Sequence, residues 1–248
     1  MSRTDLELYN EAGGFMIGSA SLHGGAFAGV EEGDAGWLAG IEAGAFLPFR
    51  LVQDDGFLIR VMVDEPLAAR ERDEWVGRTR HRLIIPAGRL VVVGGCWEYL
   101  AGEEMDEFTA SLDVPPGDDL AEVYTYYHGV NGESCLREAG PDEPIGAYFR
   151  RTRSGEPWPP WLRRHCAEDP RDDPGHEDEW RDVDPDYGAE GPSCIGTLLR
   201  LSSLVGEAPP PVAMDRGWIA IGQGARRPDA CPLGVVADRL ARAEAGDE

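Results

Sequence analysis

The sequence contains no lysine, so all 23 of its basic residues are arginines, against 46 acids. Without lysine, the pair Gly94-Gly95 cannot belong to a phosphate-binding loop, which needs a lysine beside its glycines. We interpret that pair as a strand end or a bulge. The formal net charge of -23 makes nucleic acid and anionic membrane surfaces unfavourable partners, and it favours basic ones.

Long apolar runs and paired cysteines are also missing. No stretch approaches the roughly 18 apolar residues of a membrane-spanning helix. The amino-terminal stretch MSRTDLELYNEAGG has acids where a signal peptide has a basic start and an apolar core. The five cysteines form no CxxC pair, which favours reduced thiols over a disulfide framework. These absences together predict a cytoplasmic protein without membrane contact.

Sequence motifs for nucleophilic and zinc chemistry are absent. The chain has no G-x-S-x-G elbow and no H-E-x-x-H helix motif. A dyad of Cys135 and His128 would require the loop that holds both residues to close on itself. The residues His165, Cys166 and His176 lack a fourth zinc ligand. We therefore predict neither a catalytic residue nor a bound cofactor.

One acidic triplet has the spacing of a cation loop. Alternate carboxylates at Asp182, Asp184 and Asp186 resemble the way in which hard oxygen ligands surround calcium. However, Tyr187 stands where a glycine should make the sharp turn, and Ser193 replaces the bidentate glutamate. This triplet is the weak candidate for a metal site, and a solvated acidic loop is the alternative.

Two stretches of the chain repeat one pattern. Residues 80–95, RHRLIIPAGRLVVVGG, and residues 109–127, TASLDVPPGDDLAEVYTYY, each join two β-rich runs through proline, one residue and a glycine, Gly88 or Gly117. Proline presets φ for a turn and donates no hydrogen bond, and glycine accepts a positive φ. We therefore predict two antiparallel β-hairpins in tandem.

The whole chain is predicted to be mainly β and β-sandwich-like, in three parts. Residues 1–149 form the body with the tandem hairpins, and residues 150–192 form an irregular insertion or connector. Residues 193–248 form two strands and a short C-terminal helix, because Val235, Val236 and Leu240 have helical spacing. We expect this last part to pack on the body.

Four local predictions complete the fold. They are strands over 37–52, a turn of type I′ at Asn131-Gly132, a closing strand over 145–150, and a loop or short helix over 66–80. The first repeat begins with His81, which we expect to be solvated or hydrogen-bonded, because the neighbouring residues offer no partners for a ligand or a base.

The predicted insertion has two halves of opposite charge. Residues 150–164 contain five arginines and one acid, whereas residues 165–192 contain eleven acids and two arginines. Prolines and the lack of periodicity favour irregular structure. The halves either fold back on one another or bridge to the body through ion pairs. The PWPPW stretch is alternatively a polyproline segment for an aromatic groove.

Residues 44–132 resemble the competence-associated nuclease inhibitors. The resemblance rests on LPFRL at the start of a strand, on RLIIPAGRLVVVGG as a hairpin and on LDVPPGDDLAEVYTYYHG with its V-P-x-G turn. Members of that family are small acidic β proteins that hold a nuclease inactive. The resemblance implies a tandem β fold and an inhibitory role, and it assigns no inhibitory residues.

The leading hypothesis is a non-enzymatic acidic protein that recognises a basic protein, as a nuclease inhibitor or a toxin-immunity factor. Its acids would steer the encounter, and exposed aromatics, among them Trp97 and Tyr99, would anchor it. The candidate partner-binding residues are Glu103, Glu104, Asp106, Glu107, Glu168, Asp169, Asp172, Asp173, Glu177, Asp178, Glu179, Trp158 and Trp161.

The alternatives are a metal-dependent or carboxylate-using hydrolase on a β scaffold and an oligomeric structural protein. The sequence does not determine the oligomeric state.

Overall fold

The fold is a two-sheet sandwich with helices on its outside. The computed structural model describes residues 2–10, 13–52, 56–103, 108–127, 129–140, 143–168, 194–210 and 214–237. The strands are β1 (Ser2–Tyr9), β2 (Gly14–Ser19), β3 (Phe46–Arg50), β4 (Gly56–Val63), β5 (Trp75–Ile85), β6 (Arg89–Gly94), β7 (Thr109–Asp113), β8 (Gly117–Tyr126), β9 (Ile195–Ser203), β10 (Met214–Asp215) and β11 (Trp218–Ala220). The predicted mainly-β, sandwich-like class is confirmed.

The strands divide into a five-stranded and a six-stranded sheet. The five-stranded sheet has the order β1-β4-β9-β8-β5, and its strands are antiparallel except for the parallel pair β4 and β9. The six-stranded sheet has the order β10-β11-β3-β2-β6-β7, and only β11 and β3 are parallel. The late strand β9 therefore lies between two strands from the first half of the chain.

Apolar side chains fill the space between the sheets and also cover their outer faces. The helices are α1 (Ala35–Glu42), α2 (Ala69–Glu74), α3 (Cys96–Ala101), α4 (Gly129–Glu138), α5 (Ile145–Thr152) and α6 (Pro160–Glu168), with a 3-10 helix at Ala20–Leu22. The core between the sheets continues into side chains of α4, α5 and α6, such as Leu136, Phe149 and Leu162. None of the described helices is both long and apolar enough to cross a bilayer.

The two repeated segments are strand–turn–strand units, but they are not hairpins. Strand β5 pairs with β8, and β6 pairs with β7, so each segment crosses from one sheet to the other. The cause is visible in β6: Leu90 and Val92 face the core between the sheets, while Val91 and Val93 face the outer layer. A strand that is apolar on both faces needs cover on both. In the six-stranded sheet, the other sheet covers one face of β6, and helices α1 and α3 cover the other. The predicted hairpin pairing is therefore wrong.

The two crossing turns lie against each other. Val114 donates its backbone N–H to the carbonyl oxygen of Gly88 at 2.8 Å. Gly88 has a φ of 68°, and a Cβ added there would meet the carbonyl oxygen of Val114 at 2.8 Å. The glycine is therefore required both by its own backbone conformation and by the neighbouring turn.

We expect Gly88→Ala to lower the free energy of unfolding by about 1 kcal/mol more than Gly155→Ala does. Gly155 is the matched control, because it also has a positive φ, 85°, but a Cβ there would meet nothing within 4 Å. Urea unfolding followed by circular dichroism measures both variants. Equal losses would show that contact between the turns adds nothing.

Three segments predicted as β structure or turn are helical. Residues 35–42 form α1 ahead of strand β3, Asn131-Gly132 lies inside α4, and the predicted closing strand at 145–150 belongs to α5. In α5 the buried residues Ile145, Tyr148 and Phe149 have helical spacing, which a short apolar run does not distinguish from a strand. Of the loop or short helix predicted over 66–80, a helix is present as α2, but residues 75–80 already belong to strand β5.

The end of the chain also differs from prediction. The arginine- and tryptophan-rich half of the predicted insertion contains α6, whose buried residues Leu162 and Cys166 lie one turn apart. Its acidic continuation, 169–193, lies outside the described residues. The predicted terminal helix does not begin at 232–237, where Val236 forms an isolated β-bridge with Cys194. Residues 238–248 also lie outside the description.

Candidate functional site

An acidic layer covers the outer face of the six-stranded sheet. We define it as residues 20–45 and 95–103, which contain the 3-10 helix, α1 and α3. Trp37 of α1 anchors the layer: it is fully buried, it contacts Phe46 edge-on, and its Nε1 donates to the carbonyl oxygen of Gly217 at 2.8 Å. Leu100 of α3 packs into the same cluster. The apolar side chains thus point to the sheet, and the charged ones remain outside.

The layer contains acids but no arginine. Its acids are Glu31, Glu32, Asp34, Glu42, Glu98 and Glu103. Asp34 caps α1 by accepting the N–H of Trp37 at 2.7 Å, and this hydrogen bond holds the pKa of its carboxyl below the ordinary value. Glu32 accepts the indole N–H of Trp218. These two carboxylates therefore have structural roles.

Three acids of the layer have no such role. Glu31, Glu42 and Glu103 are exposed, and none forms an ion pair with a described residue. The sequence adds Glu104, Asp106 and Glu107 directly after Glu103. Like charges within one layer repel each other and attract a cationic surface. This layer is therefore an acidic surface that three unpaired carboxylates leave open to solvent.

The structure brings Glu103 into this layer. His23 lies beside it, with 3.2 Å between the Nε2 of His23 and the carbonyl oxygen of Glu103. Glu168 ends α6, although its side chain lies outside the description. The other acids predicted for partner binding also lie outside the described residues: Glu104, Asp106, Glu107, Asp169, Asp172, Asp173, Glu177, Asp178 and Glu179.

The predicted aromatic anchors pack against the core. Trp158 contacts the ring of Phe149 at 4.8 Å between centroids, and Trp161 contacts Tyr127 at 5.1 Å. The Nε1 of Trp161 donates to the carbonyl oxygen of Leu233 at 2.7 Å. Both tryptophans are partly buried, so part of each ring has a structural function. Tyr99 is buried in the acidic layer, and the Trp97 side chain is not described.

The thiols considered for chemistry are buried. Cys135 donates to the carbonyl oxygen of Asn131 at 3.3 Å, and burial raises the pKa of its thiol to about 12. A thiol with this pKa stays protonated at neutral pH and is a poor nucleophile. Cys166 is also buried. The histidines proposed as partners of these thiols, His128 and His176, lie outside the described residues.

No metal centre occurs in the described part of the chain. There, no group of three or more His, Cys, Asp or Glu side chains is arranged to hold an ion. The acidic triplet Asp182, Asp184 and Asp186 lies outside that part. Among the described residues, the metal-dependent form of the hydrolase alternative therefore lacks a candidate ligand set.

A second charged surface was not predicted from the sequence. Glu122 on β8 is buried, and it accepts hydrogen bonds from Arg78 at 2.5 Å and from Arg200 at 2.6 Å. Arg80 approaches the same carboxylate at 3.6 Å. Burial raises the pKa of Glu122, but the hydrogen bonds from the two arginines outweigh burial, and the net result is a lowered pKa. Alternate arginines in R-T-R-H-R, residues 78–82, were the available signal, since alternate residues share one face of a strand.

The position of His81 corrects a prediction. We expected it to be solvated or hydrogen-bonded, but it is 7% exposed and points into the core beside Phe49, at 5.8 Å between ring centroids. Its Nε2 is buried without a hydrogen-bond partner. Burial lowers its pKa from the ordinary 6.5 to about 4, so the ring is neutral at physiological pH.

Comparison with known proteins yields distant structural similarity. No family model matches the sequence, and no curated protein matches it. The structure is similar to a protein described as crocagin biosynthetic gene J, with a TM-score of 0.43 and 14% identity, over 82% of this chain and 99% of that one. It is also similar to ComJ from Bacillus subtilis, an inhibitor of the DNA-degrading activity of NucA. That TM-score is 0.34, with 12% identity over 50% of this chain and 81% of ComJ.

The second similarity agrees with the resemblance noted from the sequence. ComJ is a nuclease inhibitor, so the weak resemblance to the competence-associated nuclease inhibitors is confirmed, at low identity and over half of the chain. At these TM-scores the similarity carries no further conclusion about function.

Proposed function

We propose that this protein is a non-enzymatic binding protein that recognises a basic protein partner through its acidic layer. The single observation that carries the proposal is the charge of that layer. It presents Glu31, Glu42 and Glu103 to solvent without ion pairs, and no arginine occurs in residues 20–45 or 95–103. The net charge of -23 reinforces the attraction of a cationic partner at longer range.

The partner that we propose is a nuclease or a nucleic-acid-directed toxin. Enzymes that act on nucleic acid bind phosphates with arginine and lysine, so their working surface is basic. An acidic layer that covers this surface would compete with nucleic acid for it. Inhibition would then need no catalytic residue in this chain.

The rigid support of the layer favours this role. Trp37, Leu100 and Trp218 fix the helices on the sheet, and Asp34 caps α1. A charged surface on a packed scaffold needs little ordering when it binds, and the entropy cost of association is correspondingly small. The proposed anchors Trp158 and Trp161 lie on another part of the fold, so this version of the proposal does not require them.

We expect neutralisation of the layer to weaken binding of the basic partner. The variant is Glu31→Gln with Glu42→Gln and Glu103→Gln, and its affinity should fall about tenfold, mainly through a slower association rate. Purified protein would first capture its partner from a host lysate at low salt and release it at raised salt. Surface plasmon resonance with the captured protein would then compare the variants, and a nuclease assay would test inhibition.

The control changes the net charge by the same amount elsewhere. Asp64, Glu207 and Asp229 are exposed and form no ion pair with a described residue. The variant Asp64→Asn with Glu207→Gln and Asp229→Asn should bind almost as tightly as the natural protein. Equal weakening in both triple variants would contradict a role for this particular layer, and capture of a partner without a basic surface would contradict the proposal itself.

A further inference from the structure

Within the described parts of the chain, the β5 edge of the five-stranded sheet is covered at both ends but not in its middle. β5 is an edge strand, and Arg78 donates its N–H to the carbonyl oxygen of Gln223 at 3.1 Å, outside the sheet. At the other end, Ile84 donates to the carbonyl oxygen of Gly44 at 2.7 Å. Backbone groups of an antiparallel strand alternate between the partner strand and the free side. The backbone N–H and carbonyl of Arg80 therefore face the free side, between these two covers.

A cleft of about 610 Å³ opens at this uncovered position. One wall is Arg78, Thr79 and Arg80 of β5, with Leu120 of β8. The opposite wall is the segment after β9, residues 203–210, with Gln223 and Gly224 at one end. The cleft is separate from the acidic layer, which lies on the other sheet.

The β5 wall of the cleft has donors without acceptors. The guanidinium of Arg80 is 54% exposed, and it lies 3.6 Å from a carboxylate, Glu122, that already accepts from Arg78 and Arg200. The Nε of Arg78 is buried without a hydrogen-bond partner. Unused donors next to excess positive charge favour an anionic group.

The opposite wall is largely apolar. Val205 is 90% exposed, the most exposed of the large hydrophobic residues in the described chain, and Leu204, Pro209 and Pro210 line the cleft with it. Exposed apolar groups beside a cleft mark a place where a ligand can cover them. Among the described residues that line the cleft, Glu207 is the one acid, and it lies on this wall.

We propose that this cleft binds an organic anion, with a carboxylate or phosphate group at Arg78 and Arg80 and an apolar body along residues 204–210. The Arg80 backbone N–H would add a donor to the same charged group. This site is independent of the acidic layer, so either proposal can fail without the other.

The test uses three ten-carbon probes and the full-length chain. Decanoate, decyl phosphate and decanol share one apolar body and differ in the head group. Isothermal titration at physiological salt, below the micelle concentrations, should show binding of at least one of the two anions and at least about tenfold weaker binding of the neutral alcohol. The preference between the anions identifies carboxylate or phosphate as the recognised group. NMR shifts should change at Val205 and Gly224.

Two matched arginine variants complete the test. Arg80→Gln should weaken binding of the preferred anion about tenfold, since it removes the charge while Glu122 keeps its hydrogen bonds from Arg78 and Arg200. Arg137→Gln is the control, because Arg137 is 62% exposed and lies on α4 in an ion pair with Glu133. Val205→Ser should weaken both anions alike. The proposal is wrong if neither anion binds, if decanol binds equally well, or if Arg80→Gln binds like the control.

Discussion

Arg60→Leu should lower the free energy of unfolding by about 3–5 kcal/mol, because it removes the buried guanidinium that lies between two carboxylates. The side chain of Arg60 is 3% exposed. It binds Asp5 through two hydrogen bonds, of 2.7 and 2.9 Å, and Glu71 through a third, of 2.9 Å. Loss of the guanidinium leaves Asp5 and Glu71 as like charges with less compensation. Arg3 still contacts Glu71 at 3.2 Å, but its side chain is 25% exposed, so it replaces only part of the lost interaction.

The ion pairs and hydrogen bonds of Arg60 also join distant parts of the chain. Asp5 lies on β1, Arg60 on β4 and Glu71 on α2, and Arg60 also donates to the carbonyl oxygen of Val236 at 3.3 Å. Glu71 accepts the backbone N–H of Ala68 at 2.7 Å as well, which fixes the start of α2. The effect of Arg60→Leu should therefore be global, with one cooperative transition at lower urea concentration.

Arg72→Leu is the matched control on the same side of the fold. Arg72 lies on α2 in an ion pair with Asp73, but its side chain is 61% exposed, so its removal should cost no more than about 1 kcal/mol. Adding Asp5→Asn and Glu71→Gln to Arg60→Leu should recover part of the lost stability, because neutral amides need no counter-charge. If Arg60→Leu costs no more than Arg72→Leu, the network has no special role.

The sequence predicted the strands of the repeated segments but not their partners. A proline-x-glycine turn has the same local chemistry in a hairpin and in a crossing between sheets. The unbroken apolar run Leu90–Val93 indicates that β6 is buried on both faces and so lies between two packed layers. Such cover depends on α1 and α3, and no local pattern shows where those helices dock.

Charge could be predicted in sign but not in distribution. The net charge of -23 indicated a basic partner, and the sequence named Glu103 as a candidate for binding it. The structure shows that Glu103 lies in the acidic layer, beside His23. Glu31 and Glu42 were missed because they lie 61 residues or more before Glu103 in the chain, and only the packing of α1 and α3 on one sheet unites them. The arginines around Glu122 were missed for the same reason, since Arg200 reaches β8 through sheet pairing.

His81→Leu should reduce the loss of stability that the natural protein undergoes in acid. The pKa of His81 is about 4 in the folded chain, lowered by burial, and 6.5 is its ordinary value. Between these values the unfolded chain binds a proton and the folded chain does not. Stability should therefore fall as the pH falls through this range, by about 3 kcal/mol from this group alone, and no further below it.

The difference between the natural protein and His81→Leu isolates this group, because the carboxylates titrate in both. Urea unfolding at several pH values should show the variant gaining about 3 kcal/mol on the natural protein between about pH 7 and pH 4. Thr79→Val is the control, since Thr79 is buried on the same strand and carries no titratable group, so the pH dependence of this variant should match that of the natural protein. A difference that stays constant with pH would mean that His81 is protonated equally in the folded and unfolded chains. Its burial beside Phe49 without a partner for Nε2 would then have no effect on its titration.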